Sequence, residues 1–282
     1  MSSKEVKSYV LGRNADETER LNFQHDIWTA NIGYLLNPSI DPSSKPDFRI
    51  ADVGTGTGIL LLDLAKEVPQ TCHLDGFDVS ADQFPSQASL PRNVAFHEQD
   101  LMKPFPEEFR GHFDAVSLRL VAVAIDAKDL ETAVGNVVSL LKPGGHIQWT
   151  EADWTRMTAV QTHPSTSTAT LTSALRVFND FLVSASKAIN HCYELVPLFE
   201  KLGLVDCDRD VLSSDRKPET RRAFTQSAIG AVFGGLERIA QGGYIEWSVD
   251  EVGKRRKGAE AEMEVGVYWR TDLVVSLGRK EG

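Results

Sequence analysis

Short apolar runs recur along the chain from residue 48 onward, and between them apolar residues repeat at helical spacing. The runs predict strands at residues 48–53, 73–78, 94–99, 113–118 and 146–151. Residues 129–141 have an apolar face and end at the turn Lys142-Pro-Gly-Gly145, which predicts an amphipathic helix. Strands that alternate with helices indicate an α/β fold with a mainly parallel sheet.

The residues before this alternation predict a helical arm. Asn14 can cap a helix, and Leu21, Trp28 and Ile32 follow at helical spacing as far as Asn37-Pro38. The loop 37–47 contains three prolines and three serines, so it separates the arm from the main fold.

The second half of the chain predicts a cap and the rest of the sheet. Residues 165–189 and 219–239 have the pattern of amphipathic helices, residues 192–202 that of a further helix, and residues 204–212 and 265–277 that of two strands. Acidic residues flank the basic run 254–257 on both sides, which favours a solvated helix face over a binding patch.

Composition narrows the class of ligand. The 282 residues include 30 Lys and Arg against 40 Asp and Glu, a formal net charge of −10, which argues against nucleic acid or an anionic membrane as partner. The start of the chain lacks the apolar core of a signal peptide, and no apolar run approaches the ~18 residues of a membrane span, so we expect a cytoplasmic protein. Cys72, Cys192 and Cys207 lack metal-site spacing and are expected to be buried, inert thiols.

The most informative segment is the glycine turn Asp52-Val-Gly-Thr-Gly-Thr-Gly58, between a predicted strand and a predicted helix. Three alternate glycines exceed what a plain turn needs and favour close approach of the backbone to a ligand. A dinucleotide fingerprint would place its third glycine at position 59, which is Ile59 here. The acid at Asp52 would repel phosphate and suits a ligand that carries positive charge.

This turn, with an acid after each of the next two strands, resembles the class I S-adenosylmethionine-dependent methyltransferases. The arm narrows the resemblance, because Tyr9-Val-Leu-Gly-Arg13 and the pair Gln24-His25 are similar to a signature of the fungal natural-product methyltransferases. The resemblance is close over the arm and residues 48–154, and only general beyond them.

The resemblance implies a cofactor, S-adenosyl-L-methionine, which leaves as S-adenosyl-L-homocysteine. Asp52 would hold the ammonium group, Asp78 the ribose hydroxyls and Asp100 the adenine amino group. Arg119 would lie near the sulfonium. The remaining residues implied to bind cofactor are Tyr9, Gln24, Gly54, Gly56, Gly58 and Leu101.

Methyl transfer from an activated donor needs alignment more than a base. The candidates for a base are His25 and Glu151, and more weakly Asp153, His163 and His191. The chain lacks an Asp-Pro-Pro-Tyr tetrapeptide after the fourth strand, which counts against nucleobase methylation. It also lacks a clustered Asp-Asp-Asn set, so no metal is expected.

The predicted fold is therefore a Rossmann-like, mainly parallel, seven-stranded sheet with an inserted helical cap. The single domain 1–282 comprises the arm (1–47), the cofactor-binding core (48–154) and the cap helices with the C-terminal strands (155–282). The acceptor pocket would draw on part of an aromatic set: Trp149, Trp154, Phe178, Phe181, Tyr193, Phe224, Phe233, Tyr244 and Trp247.

The resemblance implies methyl transfer to O, N or S of a hydrophobic small molecule, expected to be a fungal secondary metabolite, by a monomer or homodimer. A regulatory protein or a non-methylating, pericyclase-like enzyme on the same scaffold would keep every motif above. An NAD-dependent dehydrogenase is the weakest alternative because of the glycine spacing.

Overall fold

A computed structural model describes residues 15–282, so Tyr9, the rest of the Tyr9–Arg13 signature and Asn14 lie outside the described residues. The α-helices are α1 (Ala15–Ile32), α2 (Ile59–Glu67), α3 (Leu130–Leu140), α4 (Ala169–Ser184), α5 (Leu195–Lys201), α6 (Arg221–Gln241) and α7 (Val249–Glu264). The strands are β1 (Arg49–Val53), β2 (His73–Asp78), β3 (Val94–Glu98), β4 (Phe113–Arg119), β5 (Leu141–Ala152), β6 (Thr158–Gln161), β7 (Leu204–Ser213), β8 (Val267–Arg270) and β9 (Asp272–Lys280). Several one-turn 3₁₀ segments connect them.

The main sheet has seven strands in the order β3-β2-β1-β4-β5-β9-β7. The strands β3, β2, β1, β4 and β5 pair in parallel, while β9 runs antiparallel to both of its neighbours. The predicted fold class is therefore confirmed. Parallel pairing brings the carboxyl ends of β1, β2 and β4 to one edge, where ligands of such sheets bind.

The predicted strand 265–277 is two strands, and this is a correction. β8 leaves the main sheet to pair with β6, which the sequence did not predict, and β9 joins the main sheet. Thr271 lies between them and is 2% exposed. Its backbone N–H donates to Ser214 Oγ at 3.0 Å and its hydroxyl to the Asp153 carbonyl at 2.6 Å, while its carbonyl accepts the Ser214 N–H at 2.9 Å.

Apolar side chains cover both faces of the main sheet. Fully buried Phe77, Phe113 and Trp149 belong to a cluster that packs with α3 and α5, because those strands and helices present continuous apolar faces. A second cluster fills the space between the sheet and the predicted cap, where α1, α4, α6 and α7 pack on one another. None of the helices within residues 15–282 is both long and apolar enough to cross a membrane.

Two further sequence-based expectations concern the basic run 254–257 and the three cysteines. The basic run 254–257 lies on α7 and is mostly exposed, as expected for a solvated helix face. Cys72 and Cys192 are buried thiols, but Cys207 is only half-buried, because its strand β7 forms an edge of the sheet.

Candidate functional site

A cavity of about 670 Å³ opens at the carboxyl ends of β1, β2, β3 and β4. Its floor is the turn between β1 and α2, and its walls come from α1, the loops after β2, β3, β4 and β5, and the helices α4 and α6. The arm closes over the turn, since the Thr57 hydroxyl donates to Asn22 Oδ1 of α1 at 2.7 Å. The volume lies within the range of sites that enclose drug-sized molecules.

The glycine turn keeps its shape through hydrogen bonds from its own backbone. The N–H groups of Gly54 and Thr55 donate to the Phe77 carbonyl at 2.8 and 3.0 Å. Gly54 has a φ of +74° and Gly58 a φ of +72°, and a Cβ atom on either would collide with a neighbouring side chain, Val121 or Phe96 respectively. Gly54 and Gly56 line the cavity, whereas Gly58 does not, so Gly58 serves the packing of the turn.

The two acids predicted for the adenosine part of the cofactor both line the cavity. Asp78 is the last residue of β2, and its Oδ2 accepts the Gly56 N–H at 2.9 Å. Asp100 follows β3, and its Oδ1 accepts the Met102 N–H at 2.9 Å, which turns the chain so that Leu101 also lines the cavity. The structure thus brings Asp78, Asp100 and Leu101 together with the glycine turn.

Asp52 and Arg119 place opposite charges on the cavity wall. Asp52 is 4% exposed, and burial raises its pKa to about 6, although the Arg119 charge opposes the shift. Burial lowers the pKa of Arg119, and the Asp52 charge opposes that shift in turn. No salt bridge within 4.0 Å joins the two groups in the described part of the chain, so each keeps capacity for a charged ligand.

His25 and Gln24 lie on α1, and both line the cavity. The Arg119 guanidinium donates through Nη2 to His25 Nδ1 at 2.6 Å, and His25 Nε2 lies 3.0 Å from Asp63 Oδ2. A guanidinium only donates, so Nδ1 is the acceptor and Nε2 carries the hydrogen. Both ring nitrogens are engaged, and this geometry disfavours the predicted role of His25 as a base.

Glu151 does not line the cavity, in contrast to its predicted role as a base. It is 2% exposed, and its Oε1 accepts the backbone N–H groups of Val121 and Ala122 at 2.9 and 3.0 Å and Trp149 Nε1–H at 2.9 Å. Burial raises its pKa to about 7. The loop after β4 forms a wall of the cavity. Glu151 therefore stabilises this loop from the side that faces away from the cavity.

The weaker base candidates also lie away from the cavity. Asp153 is buried and accepts the Thr155 N–H at 3.0 Å, His163 is exposed, and His191 belongs to the short 3₁₀ segment before α5. Of the aromatic set, Trp154 and Phe178 line the cavity, with their ring centroids 5.9 Å apart. Most of the others, including Trp149 and Phe233, belong to the core.

Asp63 of α2 was missed by the sequence analysis, although it holds His25. The signal is a single acid inside the apolar run Ile59-Leu-Leu-Leu-Asp-Leu-Ala65, on a helix whose neighbouring positions are buried. Ligand atoms of His25, Asp26 and Asp63 lie within 4.8 Å of one another, but Lys66 donates to Asp63 at 2.6 Å and occupies part of that cluster. The absence of a metal stays a prediction.

Comparisons with known proteins agree with this site. Residues 50–145, which contain the glycine turn, Asp78 and Asp100, match the family model described as a methyltransferase domain. The chain is 31% identical to the N-methyltransferase tcpN of Claviceps purpurea over 204 residues, or 71% of this chain and 69% of that protein. It is 40% identical to the methyltransferase grgD of a Penicillium species over 153 residues, or 51% of this chain and 52% of that protein.

Among solved structures, phosphoethanolamine N-methyltransferase 2 of Haemonchus contortus, in complex with S-adenosyl-L-methionine, superposes with a TM-score of 0.51 at 17% identity. The superposition covers 90% of this chain and 53% of that one, and at this identity it supports the fold alone. The chain spans about half the length of most of the curated relatives it matches.

The chain belongs to the class I S-adenosylmethionine-dependent methyltransferases, in the group from fungal secondary metabolism. The predicted family and its cofactor, S-adenosyl-L-methionine, are thereby confirmed.

Proposed function

We propose that this protein transfers a methyl group from S-adenosyl-L-methionine to an O, N or S atom of a hydrophobic small molecule. The observation that carries the proposal is the pair of unlike charges, Asp52 and Arg119, beside the glycine turn in one cavity. An α-amino acid group carries an ammonium and a carboxylate, and this pair complements both. The carboxylates of Asp78 and Asp100 complement hydroxyl and amino donors of an adenosine.

The cofactor fits the residues present. Gly54 and Gly56 line the cavity without side chains, so the backbone at these two positions can approach a ligand closely. Asp52 would hold the ammonium, Asp78 the ribose and Asp100 the adenine amino group. Gln24 and Leu101 would complete the wall. When bound, the cofactor supplies a methyl group on a positively charged sulfur, already activated for displacement.

The protein's own contribution to the reaction is alignment and exclusion of water. Trp154 of the loop after β5, Phe178 of α4 and Ala231 of α6 form an apolar wall, which suits an apolar acceptor. The two predicted bases offer no unengaged lone pair to this cavity, because His25 accepts from Arg119 and Glu151 lies behind the wall. Neither of these two residues is therefore expected to take a proton from the acceptor.

Two measurements test the proposal. Calorimetry with S-adenosyl-L-homocysteine tests the cofactor site, and mass spectrometry with isotope-labelled donor across phenols, thiols, amines and carboxylic acids tests transfer. We expect binding heat and a product heavier by one labelled methyl group. Absence of binding heat contradicts the proposal. Binding without any methylated product favours a regulatory or non-methylating protein on this scaffold.

The proposed acceptor, location, oligomeric state and partners are those expected from the sequence. We propose a small-molecule acceptor, action in the cytoplasm as a monomer or homodimer, and no nucleic-acid partner, given the net charge of −10.

A further inference from the structure

Three side chains from three separate elements form a continuous chain of hydrogen bonds. Asp63 of α2 lies 3.0 Å from His25 Nε2 of α1, and His25 Nδ1 accepts from Nη2 of Arg119, the last residue of β4, at 2.6 Å. His25 is 2% exposed. The chain therefore connects the arm and the first crossover helix to a cation on the cavity wall.

Burial and neighbouring charges determine the protonation states of Asp63, His25 and Arg119. Burial and the Arg119 charge lower the pKa of His25, against the opposing influence of Asp63 and Asp26. Burial raises the pKa of Asp63, but hydrogen bonds from Lys66 and His25 outweigh it and leave the pKa lowered. The arrangement is an anionic Asp63, a neutral His25 protonated on Nε2, and a cationic Arg119.

We propose that Asp63 and His25 are a positioning pair that directs the Arg119 guanidinium toward the carboxylate of the cofactor's methionine part. The proposal rests on the proposed function, because it takes the cavity to bind S-adenosyl-L-methionine. It goes beyond that function by assigning Asp63 a role and by making His25 a positioning residue in place of a base.

The geometry gives the pair a specific effect on Arg119. A guanidinium offers five N–H donors, and His25 engages one of them. Because His25 holds Nη2, the remaining donors stay directed to the cavity. Ligand binding then avoids the entropy cost of ordering a long side chain. The imidazole itself is held by Asp63, so α2 sets the direction of a group on β4.

The tautomer can be tested without any substitution. Nitrogen-15 chemical shifts of the His25 ring in the folded protein report which nitrogen carries the hydrogen and at what pH the ring gains a second one. We expect the Nε2–H form and a midpoint below 6.5, the ordinary value. An Nδ1–H form, or a midpoint at or above 6.5, contradicts the proposal that Asp63 and His25 are a positioning pair.

Two variants of His25 with similar shape distinguish its hydrogen bond with Arg119 from its hydrogen bond with Asp63. His25→Asn keeps an oxygen near the position of Nδ1 and so keeps the acceptor for Arg119, whereas His25→Gln keeps a donor near Nε2 for Asp63 and loses that acceptor. We expect His25→Asn to bind S-adenosyl-L-homocysteine about threefold more weakly than the unaltered protein, because the bond to Asp63 is lost, and His25→Gln to bind it about tenfold more weakly. Equal affinity of the two variants contradicts the proposal.

A double-mutant cycle tests whether His25 acts through Arg119. We expect Arg119→Gln to weaken binding of S-adenosyl-L-homocysteine by about tenfold or more, and His25→Gln to add nothing in that background. Additive losses overturn the positioning role. If the unaltered protein binds no S-adenosyl-L-homocysteine, the proposed function fails. If it binds but Arg119→Gln binds equally well, the cofactor site stands and the positioning proposal fails.

Discussion

Oδ2 of Asp78 accepts the backbone N–H of Gly56 at 2.9 Å, and this bond joins the end of β2 to the middle of the glycine turn. Oδ1 of the same carboxylate accepts the Ser80 N–H at 3.3 Å. The two backbone bonds fix the orientation of the side chain before a ligand arrives. Asp78 is thus preorganised, and most of its remaining acceptor capacity is directed to the cavity that it lines.

Replacement of Asp78 tests this orientation. Asp78→Asn keeps an oxygen for the Gly56 N–H but loses the negative charge, so we expect binding of S-adenosyl-L-homocysteine to weaken by about 10- to 100-fold, equivalent to about 1.5–3 kcal/mol. Calorimetry measures the change. Asp180→Asn, an exposed position on α4 away from the cavity, is the matched control and should bind normally. Normal affinity in Asp78→Asn would remove the ribose assignment.

Gly58 is predicted to matter for stability and not for direct contact with the ligand. An alanine there would have to adopt a φ of +72° and would collide with Phe96, so we expect Gly58→Ala to lower the free energy of unfolding by about 2 kcal/mol or more. Thermal unfolding should show a midpoint lower by several degrees. Gly253→Ala on α7 meets nothing within 4 Å and should leave the midpoint unchanged or raise it.

Glu151 is predicted to support the loop after β4 as a hydrogen-bond acceptor. Glu151→Ala would leave three buried donors without a partner, at about 1–3 kcal/mol each, whereas Glu151→Gln keeps an oxygen for them. Chemical denaturation should therefore show a large loss of stability for the alanine variant and a small one for the glutamine variant. Similar losses in both variants would mean that packing, and not the acceptor, stabilises the loop.

The same residue predicts a pH dependence. Because burial raises the Glu151 pKa to about 7 from 4.5, the native state holds its proton over this range while the unfolded state releases it. Ionisation therefore favours unfolding as the pH rises from 4.5 to 7, and the native protein loses on the order of 3 kcal/mol through this group. Glu151→Gln lacks that loss, so its stability relative to the unaltered protein should improve steadily from pH 4.5 to 7. A constant difference across this range would contradict the shifted pKa.

Ala231 is predicted to set the size of the acceptor site. It lies on α6 and lines the cavity near Trp154 and Phe178, so a leucine there would fill space on the cap side. We expect Ala231→Leu to raise the KM for the acceptor by about tenfold or more and to leave the affinity for S-adenosyl-L-homocysteine within about twofold. Steady-state kinetics and calorimetry separate the two effects. A parallel loss of cofactor affinity would place Ala231 in the cofactor part of the cavity.

The strands and the glycine turn could be predicted from the sequence because both leave local patterns. β1 and β4 are buried over nearly their whole length, and they appear in the sequence as short segments rich in apolar residues. Asp78 ends β2 and Asp100 lies two residues beyond the end of β3, and parallel pairing carries such positions to one edge. The break at Thr271 leaves no such pattern, because its bonds go to Ser214 and Asp153, far away in the sequence.

The contacts around His25 could not be predicted for the same reason. Its partners Asp63 and Arg119 lie 38 and 94 residues away, and no short motif relates the three. Glu151 was correctly placed at the end of β5, where ligands of such sheets bind, but its direction depends on which face of the sheet it occupies. Only the fold decides that it points to the N–H groups of Val121 and Ala122 and away from the cavity.

The position of β9 has a consequence for the order in which the sheet can assemble during synthesis. Strands β1 to β5 pair with one another and can associate as soon as they leave the ribosome. In contrast, β7 pairs only with β9, which is made almost 60 residues later in the chain (272 − 213 = 59). Until β9 has been made, β5 and β7 each expose an unpaired edge, and the nascent chain depends on β9 to cover both at once.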